Sequence, residues 1–263
     1  MTGTQAAGGT RELARSASEF LRSSWRFVFP DDCPRCGREH TETNRPFRNG
    51  PALCGNCEAE VAPAIGPPCK RCGAPVGPHV DSSHGCVHCR GDRFRFETVI
   101  RLGIYDGALR DVCRLGKLSE GQSLAAAATN VLWTREREAF ENLRTDLVLP
   151  VPRYWTDRIG RPSHSTSTIA GILSRRLKLG DPASVVKKTR RTPVQHGLSP
   201  TRRRSNVKGA FRVRRGVILT GARVLLVDDV LTTGATADEV SRVLREAGAE
   251  RVVVAVLARG LGR

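Results

Sequence analysis

Four Cys-x-x-Cys pairs occupy the first 90 residues of this 263-residue chain, and they restrict its fold more than any other feature. The pairs are Cys33/Cys36, Cys54/Cys57, Cys69/Cys72 and Cys86/Cys89. A structural zinc ion is bound by four thiolates in a tetrahedron, so eight paired cysteines supply two ions. Gly37 and Gly73 each follow a pair and allow the turn that directs backbone amides at the sulfur atoms. The repeated pattern therefore predicts a duplicated zinc ribbon.

The spacing favours sequential pairing, in which the first two Cys pairs share one Zn²⁺ and the last two share the other. A cross-braced arrangement is also compatible with it, and a redox disulfide in one pair is the competing interpretation. A closed site of four cysteines has no open coordination position, so both ions would be structural. They would hold together a segment too poor in apolar residues to fold alone. We expect Cys113 to be a core residue and the nearby histidines to be surface residues: His40, His79, His84 and His88.

The chain carries a formal net charge of +17, which indicates either a polyanionic partner or an arginine-rich composition. No acidic residue occurs between Asp181 and Asp228. The basic residues of this interval include Lys187, Lys188, Arg190, Arg191, Arg202, Arg203, Arg204, Lys208, Arg212, Arg214 and Arg215. A run of charge is usually a solvated face. Because no acid compensates this one, we interpret it as a surface for phosphate groups, and the aromatic content of 5% argues against extensive base stacking.

No apolar run approaches the ~18 residues that a membrane-spanning helix needs. The segment Glu12–Phe29 is interrupted by charges and resembles a short amphipathic helix more than a signal peptide. We therefore expect a cytoplasmic protein without a membrane span, whose cysteines are thiols or metal ligands. The composition changes near residue 95. This predicts an amphipathic or flexible segment at 1–29, a double zinc ribbon at 30–95 and a third domain at 96–263.

The third domain alternates strand-like and helix-like segments. Short apolar runs predict strands at 99–105, 147–151, 224–227 and 252–257, with the start of another at 185–186. Apolar residues at helical spacing predict helices at 124–133, 165–179 and 237–247. The last strand, helix and strand form a βαβ unit. The fold class is therefore α/β, with an open and mostly parallel sheet covered by helices on both faces.

The segment Val224–Thr236, with the sequence VLLVDDVLTTGAT, carries most of the functional information. A buried strand ends in Asp228 and Asp229, and a loop then opens a helix. Ligands bind at the carboxyl ends of parallel strands, and free amides at a helix amino terminus attract anions. The two acids suit the hydroxyl groups of a ribose. The loop suits a phosphate, through Thr232, Thr233, Gly234, Ala235 and Thr236.

This combination resembles the phosphoribosyl-pyrophosphate (PRPP) signature of type I phosphoribosyltransferases. Over residues 27–260 the chain is similar to the ComF family. The resemblance is carried by the knuckles, the PRPP motif, Tyr105-Asp-Gly107, Lys117, Pro150-Val-Pro152, Gln195, Arg203, Asn206 and Gly209-Ala-Phe211. It implies a double zinc ribbon before a type I phosphoribosyltransferase domain, with a role in the uptake or processing of transforming DNA in some members.

The resemblance also implies site residues. Mg²⁺ would accompany PRPP, the loop with Arg153 would face the pyrophosphate, and three arginines would belong to a flap that closes over it: Arg190, Arg191 and Arg203. Two departures weaken the match. Family members usually carry an Arg-Gly-Phe-Asn-Gln-like stretch where this chain has Arg161-Pro-Ser-His-Ser165. Many purine-salvage enzymes have an Asp where this chain has Thr232, and threonine is no general base near neutral pH.

Two functions remain from the sequence. The first is an enzyme that transfers a phosphoribosyl group from PRPP, with Mg²⁺, to an acceptor without a recognisable signature. The alternative is a regulatory protein that binds PRPP as an effector and contacts single-stranded DNA with its zinc ribbons and basic stretch. The sequence favours the enzyme, and it carries no signal for an oligomeric state.

Overall fold

A computed structural model describes residues 32–40, 50–154, 164–192 and 200–261, without the side chains of residues 200 and 201. The expected helix at 12–29, Arg161 and Gln195 lie outside the described residues. The domain bounds proposed from composition stay a prediction. No helix in the described part of the chain is both long and apolar enough to cross a bilayer.

A four-stranded parallel sheet forms the centre of the fold, in the order β1-β6-β5-β2. A two-stranded antiparallel ribbon, β3-β4, stands apart from it. A helix lies between its two strands in the sequence, and we call this ribbon the hairpin. The strands are β1 Val99–Ile104, β2 Leu147–Pro150, β3 Val186–Lys188, β4 Phe211–Val213, β5 Arg223–Leu231 and β6 Arg251–Arg259. The helices are α1 Gly55–Val61, α2 Gly107–Leu115, α3 Gln122–Arg135, α4 Arg137–Asn142, α5 Ser165–Arg176, α6 Pro200–Val207 and α7 Ala235–Glu246.

Both faces of the sheet are covered, which explains why its strands are continuous apolar runs. In β6, Val252, Val254 and Val256 belong to the core on the α7 face. Their neighbours Val253, Ala255 and Leu257 belong to the core on the opposite face, which α2, α3 and α5 build. The α/β class with an open parallel sheet and helices on both faces is confirmed.

Two strands differ from the sequence expectation. The strand predicted to end at Val227 continues to Leu231, because its parallel pairing with β6 continues through Val230 opposite Ala258. The acid pair therefore lies inside the last part of β5. The strand expected at 185–186 does not join the main sheet. It is β3, which pairs with β4 in the hairpin.

The amino-terminal knuckles repeat one geometry. In the first, the Gly37 amide donates to the Cys33 carbonyl at 2.8 Å; in the second, the Gly73 amide donates to the Cys69 carbonyl at 3.0 Å. Both glycines have φ = 70°, in the left-handed region that favours glycine. The two units differ at their second Cys pair. Helix α1 follows Cys54 in the first unit, whereas turns surround Cys86 in the second. The knuckle geometry supports a duplicated unit.

Candidate functional site

The eight paired cysteines form two clusters. One holds Cys33, Cys36, Cys54 and Cys57, and the other holds Cys69, Cys72, Cys86 and Cys89. Within each cluster the sulfur atoms all lie within 4.8 Å of one another. This is the sequential grouping that the spacing favoured, and the cross-braced arrangement is absent.

The sulfur positions fit a zinc ion. A tetrahedron with Zn–S bonds of about 2.3 Å has edges of about 3.8 Å. The Sγ–Sγ distance is 3.7 Å between Cys36 and Cys54 and 3.8 Å between Cys69 and Cys89. All donors are thiols, the ligands that structural zinc prefers. The two clusters are therefore consistent with two structural zinc ions.

Backbone amides prepare one thiol of each cluster for ionisation. Burial raises the pKa of Cys33, but amides of Cys54, Arg35 and Cys36 directed at its sulfur lower the pKa to about 6. In the second cluster, burial is likewise opposed by the amides of Cys72 and Arg71, so the pKa of Cys69 is about 7. Thiolates are the form that binds metal, so these amides favour the ligand state of Cys33 and Cys69, whereas burial raises the pKa of Cys57, Cys72 and Cys89.

Three of the four histidines near the ribbons are surface residues as expected, whereas His40 is half-buried. His79, His84 and His88 are exposed, and His40 makes a hydrogen bond of 3.0 Å to the Ala52 carbonyl. Among the described residues no histidine joins a metal-binding cluster. Cys113 is buried on α2, and its burial raises the pKa of its thiol, which disfavours a nucleophilic role.

The phosphate loop, residues 232–236, lines an open cleft of about 860 Å³ at the carboxyl end of β5. Gly234 is the N-cap of α7 with φ = 75°, so the chain reaches the helix through a left-handed turn. The Thr233 hydroxyl accepts a hydrogen bond of 3.3 Å from the Ala235 amide. The amino terminus of α7 thus presents amides and a positive dipole end to the cleft, which suits an anion.

The acid pair lies on the floor of the same cleft. Asp229 is buried, and its Oδ2 lies 3.3 Å from Lys117 Nζ and 3.4 Å from Ser165 Oγ. Its Oδ1 accepts the Val230 amide at 2.8 Å, and Asp228 Oδ1 accepts the Asp229 amide at 2.9 Å. Each carboxylate therefore has one oxygen fixed by the backbone.

The charges of the pair influence each other. Burial, and then the charge of Asp229, raise the pKa of Asp228 well above its usual value. Burial lowers the pKa of Lys117, but the charges of both aspartates outweigh this effect and raise it overall. Lys117 is thus a protonated counter-charge for a crowded acid pair. An uncharged polyol is the kind of group that such a pair can accept hydrogen bonds from.

Other cleft residues were not among the predicted site residues. Tyr105, Asp106 and Arg110 line the same cleft as the phosphate loop, together with Lys117. Tyr105, Asp106 and Lys117 had entered only through the family resemblance, and nothing in the spacing connects them with Asp229. Their position follows from the sheet, because β1 ends at the same edge as β5.

The four predicted pyrophosphate or flap arginines do not meet in one place. Arg203, on α6, lines the cleft, and its Nε is buried without a hydrogen-bond partner among the described residues. Arg190 instead donates to the carbonyls of Asn206 and Lys208, at 2.8 and 2.9 Å, and braces the hairpin against α6. Arg153 and Arg191 are not among the described residues that line the cleft.

Two family models agree with this architecture. Residues 164–263 match the phosphoribosyl transferase domain and residues 24–90 match the double zinc ribbon domain. Competence protein F of Haemophilus influenzae is 29% identical over 216 residues, covering 81% of this chain and 91% of that protein. DNA utilization protein YhgH of Escherichia coli K12 is 29% identical over 199 residues, covering 73% and 84%. A purine phosphoribosyltransferase from Pyrococcus horikoshii aligns with 51% of this chain and 73% of its own at 22% identity, with a TM-score of 0.34.

Proposed function

The chain belongs to the ComF family, and we propose that it binds PRPP with Mg²⁺ and transfers the phosphoribosyl group to an acceptor. The observation that carries this proposal is the single cleft in which an acid pair and a helix amino terminus face the same space. A pentose phosphate carries a diol, which matches the acid pair, and a phosphate, which matches the helix amino terminus. We further propose that the protein acts in the cytoplasm, where thiols stay reduced.

In this proposal Asp228 and Asp229 accept hydrogen bonds from the ribose hydroxyls. The amides and hydroxyls of residues 232–236 hold the 5′-phosphate. Lys117 limits the repulsion between the acid pair and the anionic ligand, since its ammonium lies 3.3 Å from Asp229. Each group therefore acts on the part of PRPP that its charge and hydrogen-bonding capacity match.

Mg²⁺ would come bound to PRPP, because this ion keeps several waters and binds mainly through phosphate oxygens and one or two carboxylates. Among the arginines predicted for the pyrophosphate, Arg203 has the best position, since its buried Nε lacks a partner beside the cleft. Arg153, Arg190 and Arg191 remain candidates for a closed form of the flap. Arginine suits this role because its planar fork binds phosphate bidentately.

The proposed reaction is a displacement at the anomeric carbon of the ribose. The bond to the pyrophosphate breaks, the acceptor forms the new bond, and the proton of the acceptor passes to solvent. Positioning and neutralisation of the leaving group lower the barrier. Thr232 does not remove the proton, because its hydroxyl is not basic near neutral pH. An acceptor that ionises easily, or that brings its own base, is therefore favoured.

Calorimetric titration of the zinc-loaded chain with PRPP and Mg²⁺ tests the binding. Ribose 5-phosphate and pyrophosphate serve as part-ligands and should bind more weakly, because each occupies only a part of the site. Pyrophosphate release, screened over nucleobases, nucleosides and single-stranded DNA, then tests turnover. PRPP that fails to bind at millimolar concentration would overturn the proposal, whereas binding without release would leave PRPP as an effector.

A second candidate function is contact with single-stranded DNA, in line with the names of the relatives, a competence protein and a DNA utilization protein. Lys187 on β3 and Arg212 on β4 face each other across the hairpin, and both are exposed. Like charges in directly opposite positions destabilise a sheet. An anionic partner would remove that cost. The hairpin is thus the part of the basic stretch where a nucleic-acid backbone fits best.

If the hairpin contacts phosphates, the logarithm of the affinity for a DNA oligonucleotide should fall linearly with the logarithm of salt, by about 0.7 per neutralised phosphate. Lys187→Gln with Arg212→Gln should flatten the slope by about 1 to 1.5 and leave PRPP affinity unchanged. Fluorescence anisotropy at several salt concentrations measures the slope. Arg137→Gln with Arg144→Gln, near the amino-terminal edge of the sheet, is the control. Equal slopes in both double variants would exclude the hairpin.

A further inference from the structure

A buried arginine joins the second ribbon to the phosphate loop. Arg259 is the last residue of β6 and is only 3% exposed. Its Nε donates to the Cys72 carbonyl at 2.9 Å. Its Nη1 donates to the carbonyls of Leu231, at 3.1 Å, and Thr232, as well as to Gly260. One guanidinium therefore binds a metal knuckle and the first residue of the phosphate loop at the same time.

This arginine needs a counter-charge that the described carboxylates do not provide, since none of them forms an ion pair with it. A second buried arginine, Arg101 on β1, donates to the Gly73 and Gly66 carbonyls and lies in the field of Glu136. An uncompensated buried charge is strongly destabilising. Four thiolates around one Zn²⁺ carry a net charge of −2. The metal-loaded second cluster therefore supplies the counter-charge that Arg259 lacks among the described carboxylates.

The second ribbon reaches the loop in two further ways. Phe94 packs against the cysteines of this cluster and against Gly234, where an added Cβ would lie 3.0 Å from its ring. Arg95 donates to both carboxylate oxygens of Asp238, in the first turn of α7, at 2.6 Å. The first ribbon is attached elsewhere, since Cys33 and Cys57 belong to the core on the other face of the sheet.

We propose that Arg259 is a positioning residue that couples the second zinc ribbon to the phosphate loop, so that PRPP affinity depends on the metal at Cys69, Cys72, Cys86 and Cys89. The inference rests on the proposed PRPP site. Coupling between two binding sites is reciprocal. The factor by which this zinc ion strengthens PRPP binding is therefore also the factor by which PRPP strengthens zinc binding. Where the rate of zinc release follows the zinc affinity, PRPP must slow the release from the second ribbon by the same factor.

Matched cysteine variants test the metal dependence in the full chain. Cys69→Ser and Cys33→Ser change the same position of the two knuckles. We expect Cys69→Ser to weaken PRPP binding in calorimetry by about tenfold or more, and Cys33→Ser to leave it within about twofold. Hydrogen exchange of residues 231–236 should become faster in Cys69→Ser only, while β6 stays protected. Equal PRPP affinity and equal exchange in the two variants would overturn the inference.

Arg259→Lys keeps the charge but has no fork to bridge Cys72 with Leu231 and Thr232. The variant protein should still bind two zinc ions, but it should bind PRPP more weakly. PRPP should no longer slow the release of zinc, which a chromogenic chelator measures. A merely structural arginine would leave that slowing intact, which would overturn the coupling. The exchange experiment needs no ligand. If wild-type protein fails to bind PRPP, the proposed function is wrong, and loop exchange in Cys69→Ser still decides whether the second ribbon holds the loop.

Discussion

Replacing Asp228 and Asp229 together by Asn is expected to abolish measurable PRPP binding while the protein stays folded. The ribose hydroxyls would lose two charged acceptors, and a hydrogen bond to a charged group contributes about 1.5–3 kcal/mol. Two such losses lower affinity by roughly two to four orders of magnitude. Calorimetry with PRPP and Mg²⁺ measures the loss, and thermal unfolding measures the fold.

The stability of the variants follows from the pKa of Asp228, which burial and Asp229 raise. A raised folded-state pKa means that the folded state loses stability as pH increases from the unfolded pKa through the folded one. Asp228→Asn removes that loss, so its melting temperature at neutral pH should equal or exceed that of wild type. Asp146→Asn is the control, because this exposed acid pairs with Arg223 at the other end of β5. Undiminished PRPP affinity in the folded double Asn variant would rule out the site.

Features encoded within a short segment could be predicted from the sequence. The Cys-x-x-Cys pairs fix local turns, and their tight sulfur clusters follow from those turns. The run Val224–Thr236 holds a strand, a cap glycine and a helix start in sequence, so the phosphate loop could also be found. Helix α2 was missed, although Leu109, Val112 and Cys113 give it a short helical spacing. Helix α6 has no such pattern, since it is polar on nearly every side.

Contacts between distant segments could not be predicted. Lys117 meets Asp229 because α2 and β5 deliver both to one edge of the sheet, and no spacing rule relates them. The flap arginines show the same limit. Arg203 and Arg190 both belong to the basic stretch without acidic residues, but of these two only Arg203 lines the cleft. Arg259 lies two residues beyond the strand that the sequence predicts at 252–257. Its role depends on a metal knuckle far away in the chain, and only the tertiary structure places the two side by side.

Purified protein is expected to contain two zinc ions, and removing them should unfold both ribbons. The apparent binding free energy of a structural zinc site at neutral pH is about 10–16 kcal/mol, and for a segment with little core this is also folding free energy. Native mass spectrometry counts the ions, and hydrogen exchange of residues 50–92 reports the unfolding. Cys33→Ser should retain one ion and Cys113→Ala, a change outside both clusters, should retain two.

The two ions should not leave at the same rate. Every cysteine of the second cluster is buried, whereas Cys36 in the first is exposed and Cys54 is half-buried. Water and a chelator reach an exposed thiolate first, so the first ribbon should release its zinc faster. The second ion is also held by the field of Arg101 and Arg259, whose positive charges oppose protonation of its thiolates. Cys33→Ser isolates the slow phase of release and Cys69→Ser the fast one. Identical rates in these two variants would mean that burial and the two arginines do not protect the second site.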